Sequence, residues 1–190
     1  ANSKFLGMTV NAAEAAYVYA EVVDGGYMFY VLDDNNAKSY IELTEYQKEG
    51  ESYYRASIAW STTGSVFHYE DIGCWAATLA NDTFFIGTYQ SFNTASASSS
   101  FYMTADKFAS QYPLQLVLAE NVDVTPPDDG GNEGEKPNSD VVTAPVADTA
   151  YLMFLEQKSL NSTLYLTGKP DTANSKFLGM TVNAAEAAYV

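Results

Sequence analysis

The eighteen residues ANSKFLGMTVNAAEAAYV fill positions 1–18 and recur unchanged at 173–190. Ala1 matches Ala173, so the period is 172 residues. Identity over this length is not chance. Two origins would produce it: a piece cut from a tandem array, or an engineered permutant with an overlapping end. An array is the expected origin, because long repeats at a fixed period mark repeat architectures. The folding unit is then out of register with the numbering.

A second feature locates the unit. Residues 119–149, AENVDVTPPDDGGNEGEKPNSDVVTAPVADT, hold four of the six prolines, a run of acids and no aromatic residue. Such a stretch buries too little apolar surface to offset its ordering entropy. It reads as an acidic Pro/Gly-rich linker. The alternative, a calcium loop at DDGGNEGEKPNSD, lacks the alternating ligand spacing that ends in Glu. Residues 1–118 then form most of one all-β repeat unit. Residues 150–190 begin the next, starting near Tyr151. The first unit lacks its own counterpart of YLMFLEQKSLNSTLYLTGKPDT. A ~30-residue linker spans roughly 30 Å on average, close to a small domain's diameter. The C-terminal segment is therefore expected to fold back and complete the first unit, as in a circular permutant. The competing outcome is completion in trans by strand exchange between chains, which gives head-to-tail oligomers.

Taken from Tyr151 onward, apolar and aromatic stretches alternate with turn residues every 8–12 positions. Candidate strands are 151–157, 163–168, 4–10, 17–23, 27–32, 39–43, 55–60, 66–69, 74–79, 84–89, 96–103 and 114–118. Asp24-Gly25-Gly26 between two of them is a hairpin signal, since Gly accepts positive φ. NAAEAA (11–16) is too short to stand as a helix, and TADKFASQ (104–111) offers one short helical turn. Fifteen Tyr and ten Phe, with many Val and Thr, favour strands. About twelve short strands point to an all-β barrel or sandwich.

The strands fall into three groups of four with similar phrasing: TLYLTG…KFLGMTV, KSYIEL…RASIAW and TFFIGTY…ASASSSFYM. In this the chain resembles the β-trefoil, and within it fascin-like and ricin-B-like modules. The resemblance implies a barrel of three four-stranded units; a two-sheet β-sandwich is the alternative fold. The Gln-x-Trp signature of ricin-B repeats is absent, so no sugar site is inherited by motif. The layout of repeat and acidic linker resembles tandem-repeat surface proteins of Gram-positive gut bacteria. That implies a secreted or cell-surface location and neighbouring repeat units as partners.

Nine basic against twenty-four acidic residues give a formal charge of −15. This argues against nucleic acid, which needs Lys and Arg against its phosphates, and against docking on anionic lipid. No apolar run approaches the ~20 residues of a membrane-spanning helix, and none reads as a signal peptide. One Cys and one His cannot build a zinc site, and no phosphate- or dinucleotide-binding motif is present. No metal or cofactor is therefore expected. Cys74, in GCWAATL without a basic neighbour, reads as a small buried apolar residue. His68 has Glu70 and Asp71 nearby, but no oriented nucleophile is recognisable, so no catalytic residue is assigned and an enzyme is not expected.

Aromatic residues carry the functional expectation. An aromatic face packs on the apolar side of a pyranose while polar groups fix its orientation. Trp60, at a strand end beside STTG, is the first candidate. Tyr53 and Tyr54, in EGESYYR, and Tyr89 and Phe92, flanking YQSFNT, are the others. Trp75, between Cys74 and Ala76, is expected to face the core. Asn161-Ser162-Thr163 and Asn81-Asp82-Thr83 match a glycosylation pattern, but in a bacterial protein they are turn residues. The expectation is a non-catalytic, glycan-binding or adhesive repeat module. The alternative is a spacer repeat that projects another domain and has no ligand of its own.

Overall fold

The structure is a computed structural model that describes residues 6–9, 11–47, 49–50, 54–89, 94–98, 111–122, 140–157 and 162–170. Its strands run in chain order as follows: β1 (Leu6–Thr9), β2 (Tyr19–Val23), β3 (Gly26–Leu32), β4 (Lys38–Gln47), β5 (Tyr54–Ser61), β6 (Phe67–Glu70) and β7 (Cys74–Leu79). Then come β8 (Asp82–Tyr89), β9 (Thr94–Ser98), β10 (Gln111–Pro113), β11 (Gln115–Leu118), β12 (Tyr151–Gln157) and β13 (Ser162–Pro170). Short 3-10 turns cover Ala12–Glu14 and Ala119–Asn121. The fold is all-β, as the aromatic and β-branched content predicts.

Two antiparallel sheets form. The first has the order β11-β12-β13-β1-β9. The second runs β9-β8-β7-β6-β3-β4-β5, with β2 on β3 and β10 on β8. β9 pairs with β1 on one side and β8 on the other, and so carries the chain from sheet to sheet. Among the described residues the ladder is an open path ending at β11 and β5. The closed barrel that a trefoil requires is not seen there, and two sheets face to face correspond to the sandwich alternative. The physical reason is register: similar phrasing fixes strand count and facing, but not which strands become neighbours.

One core lies between the sheets. The first contributes Leu6, Met8, Leu116, Tyr151, Met153, Leu155, Leu164 and Leu166, and Leu114, between β10 and β11, joins them. The second contributes Phe29, Ile41, Ile58, Phe67, Trp75, Phe84 and Ile86, among others. Trp75, which is fully buried, sits edge-on to Phe29 at 4.9 Å, Tyr69 at 5.1 Å and Tyr27 at 5.8 Å. A smaller cluster of Val117, Val122, Leu152, Phe154 and Tyr165 lies on the opposite side of the first sheet, beneath Ala12, Ala15 and Ala119. This explains why YLMFL does not alternate. Sheet positions covered on both faces become a continuous apolar run.

The C-terminal segment is integral to this core. β12 and β13 lie between β11 and β1, and Val18 exchanges backbone hydrogen bonds with Tyr151 at 2.8 Å. The segment expected as linker is tied down at both margins. The Ala119 amide donates to the Ala150 carbonyl at 3.1 Å, the Val142 amide donates to Leu116 at 2.8 Å, and Pro145 is buried. Residues 123–139 of it, and 104–110 of TADKFASQ, lie outside the described residues.

Local chemistry sets the connections. Val23 pairs with Gly26 across a two-residue loop, where Gly25 has φ +85°. Gly26 has φ +152°, and a Cβ there would overlap the Phe67 carbonyl, so only glycine lets β3 approach β6 this closely. After β1, Asn11 caps the 3-10 turn by accepting from the Ala13 amide at 3.0 Å. Thr9 Oγ1 donates to Glu14 Oε2 at 3.2 Å and steadies the same turn.

Candidate functional site

Cross-strand register builds a row of three tyrosines on the outer face of the second sheet. Tyr19 on β2 lies opposite Tyr30 on β3, and Tyr30 lies opposite Tyr40 on β4. The neighbours of each along its strand, Ala20, Phe29, Val31 and Ile41, face the core. Period-two alternation therefore turns the tyrosines outward. The Tyr19 and Tyr30 rings stack at 5.6 Å with planes 23° apart, and Tyr30 and Tyr40 meet at 5.4 Å and 54°. Tyr30 is buried by its neighbours; Tyr19 and Tyr40 are half-buried.

Two charges finish the row. Lys38 Nζ lies 4.2 Å above the centre of the Tyr30 ring and 5.9 Å from that of Tyr40. It donates to Glu21 Oε2 at 2.9 Å, and the Tyr40 hydroxyl donates to the same oxygen at 2.8 Å. The hydrogen bond from Lys38, then that from Tyr40, holds the Glu21 carboxyl below its ordinary range. The Lys38 ammonium is pushed upward, chiefly by Glu21. Burial, then the bond to Glu21, raises the Tyr40 phenol. Since the Lys38 and Glu21 side chains are 42% and 39% exposed, this pair adds at most about 1 kcal/mol to stability. The patch offers half-buried aromatic surface, a carboxylate acceptor and an ammonium donor. Those are the elements that bind a sugar ring: apolar faces stack while hydroxyls bridge the charges.

The residues expected from sequence do not belong to this row. Trp60 on β5 pairs with Ile41, so it shares the core-facing side and packs partly buried against the main core. Its indole Nε1 is enclosed without a hydrogen-bond partner. Tyr54 pairs with Gln47, and Tyr89 with Gln111. Tyr53 and Phe92 lie outside the described residues. Of these five, Trp60 alone has a described side chain; Tyr54 and Tyr89 are placed by their backbone pairing. The tyrosine row had a sequence signal: pairing mirrored about Asp24-Gly25 brings Tyr19 opposite Tyr30.

His68 on β6 makes a half-buried contact of 2.8 Å between Nε2 and Glu70 Oε1. Cys74 is fully buried. Burial, and then the charge of Glu70, pushes its thiol from 9.0 up to about 12. A group raised on folding stabilises fully below its unfolded value, and loses that contribution as pH climbs through the folded one. Melting temperature is therefore expected to decline from about pH 9 upward, and less steeply in Cys74→Ala. Native alkylation near pH 8 should be at least ~100-fold slower than in urea. Comparable rates in the two conditions would contradict the burial. Among the described residues, no group of three or more His, Cys, Asp or Glu side chains is placed to hold a metal ion. No described helix is long and apolar enough to cross a membrane.

No protein-family model, curated protein or solved structure matches this chain.

Proposed function

We propose that this chain is a non-catalytic repeat module of a secreted or cell-surface bacterial protein, and that it binds glycan through its aromatic side chains. The observation that carries this reading is the Tyr19–Tyr30–Tyr40 row beside Glu21 and Lys38. Of the three tyrosines stacked on this outer face, Tyr19 and Tyr40 stay half-exposed beside the buried Tyr30 and stand outside the main core cluster. They present rigid, amphipathic surface at low entropic cost, next to groups that suit sugar hydroxyls. Surface location and kinship with tandem-repeat surface proteins follow from the resemblance in repeat and linker, and belong to the same reading.

Titration with a panel of oligosaccharides, followed by NMR, tests it. Shifts are expected at Tyr19, Lys38 and Tyr40. Tyr19→Ala combined with Tyr40→Ala should weaken binding at least ~10-fold, as loss of stacking rings does. Binding that survives this pair but is lost in Trp60→Ala would move the site to the end of β5. Absence of binding to any glycan would leave the spacer reading. One observation favours that second reading independently: residues 151–170 pair into the same sheet as β1 and β11. Successive repeats would then be joined through packed strands.

A further inference from the structure

The seam between β13 and β9 holds residues 6–9, yet the chain contains this strand twice. In the structure the first copy docks against the C-terminal segment along most of its length. Leu6 pairs with Pro170, Met8 with Leu166 and Thr9 with Tyr165. The Thr167 hydroxyl donates to the Gly7 carbonyl at 3.0 Å. The Ala16 amide donates to Leu166 at 3.0 Å, and Val18 and Tyr151 exchange two bonds of 2.8 Å. Ala12 and Ala15 cover the outer cluster of Phe154 and Tyr165. Every residue that makes these contacts from positions 6–18 has an identical counterpart at 178–190.

We propose that the seam is a strand-exchange site: within one chain it accepts residues 178–181 in place of 6–9. Leu178, Met180 and Thr181 then meet Pro170, Leu166 and Tyr165, in the register that Leu6, Met8 and Thr9 occupy. Seven residues separate Pro170 from Leu178, enough to turn an antiparallel hairpin back along β13. Proximity gives the second copy a high effective concentration at the seam. The first copy has the compensating advantage of running straight on into β2. The two states bury the same side chains, so neither is excluded by packing. The seam has room for one copy at a time. The occupant is the second copy in the same chain, and the proposal does not depend on glycan binding.

Redundancy tests this. Leu6, fully buried, cannot be replaced by an aspartate without losing its place in the seam. Leu6→Asp, Leu178→Asp and the double variant are made in the full chain and unfolded in urea. Each single variant is expected to keep a cooperative transition near that of the unsubstituted chain, whereas the double variant loses it. Methyl NMR of labelled methionine gives a second readout. The buried signal of Met8 should pass to Met180 in Leu6→Asp and remain with Met8 in Leu178→Asp, in a particle of monomer mass. Exchange is refuted if Leu6→Asp is as damaging as the double variant, or if Met180 never acquires the buried shift. Rescue of Leu6→Asp only in dimers or larger assemblies by light scattering would refute exchange within one chain.

Discussion

A chain ended after Val122 is expected not to fold. It keeps eleven of the thirteen described strands, but loses β12 and β13 from between β11 and β1. With them go Tyr151, Leu152, Met153, Phe154, Leu155, Leu164, Tyr165 and Leu166, all at most 3% exposed. Burying one large apolar side chain is worth about 1.5–3 kcal/mol. The gross burial lost with eight of them is of the same order as the ~5–15 kcal/mol by which a whole domain is stable, offset in part by the ordering entropy that the removed residues no longer cost. The damage exceeds lost area, because Leu6, Leu116 and Met8 would face solvent and the edges of β11 and β1 would lie open to association. Circular dichroism and methyl NMR of the shortened chain should show no cooperative melt and collapsed shift dispersion. A sharp transition at the melting temperature of the intact chain would contradict the packing described above.

Trp75→Ala is expected to be the most costly single truncation in the second sheet. The indole is fully buried, and the rings of Phe29, Tyr69 and Tyr27 meet it edge-on. Removing an aromatic of this size from a closed core costs about 3–5 kcal/mol, by lost transfer energy and by the cavity left behind. At ~2–4 °C per kcal/mol in a chain of this length, the midpoint falls by roughly 6–20 °C. Trp75→Phe should recover more than half of that. It restores much of the volume and removes an indole Nε1 that has no hydrogen-bond partner. Urea titrations of both variants check the order. A loss below about 1 kcal/mol in Trp75→Ala would mean that the surrounding rings close the gap.

The legible and illegible parts of this fold divide along a physical line. Local chemistry was legible. The Asp24-Gly25-Gly26 hairpin, the strands 74–79 and 151–157, and the inward Trp75 follow from turn residues and burial patterns. The eighteen-residue identity, with the proline-rich stretch, also pointed to residues 151–170 as partners of residues near the start, where β13 meets β1. Neighbour relations between sheets were not legible. Nothing local says that β9 should join β1 to β8, or that β6 should lie beside β3, because that depends on register and loop closure across the whole chain. The three similar phrases therefore suggested a threefold barrel, where the described pairing forms two sheets. The short β10 at Gln111–Pro113 carries no period of its own and was missed. Trp60 showed the same limit for sites. Its place at a strand end suggested exposure, but pairing with Ile41 sets it against the core. The tyrosine row depends on three strands in register, and only its first pair could be derived from the hairpin.

Central to the account is that residues 151–170 and 6–118 form one cooperative structure within a single chain. Native-state hydrogen exchange on the intact protein measures this without altering a residue. Amides of Leu152, Met153, Leu155 and Leu164 are predicted to exchange only with global unfolding, at the same free energy as Phe29, Ile58 and Trp75. Fast, unprotected exchange in β12 and β13, while the amides of β3, β5 and β7 stay protected, would contradict it.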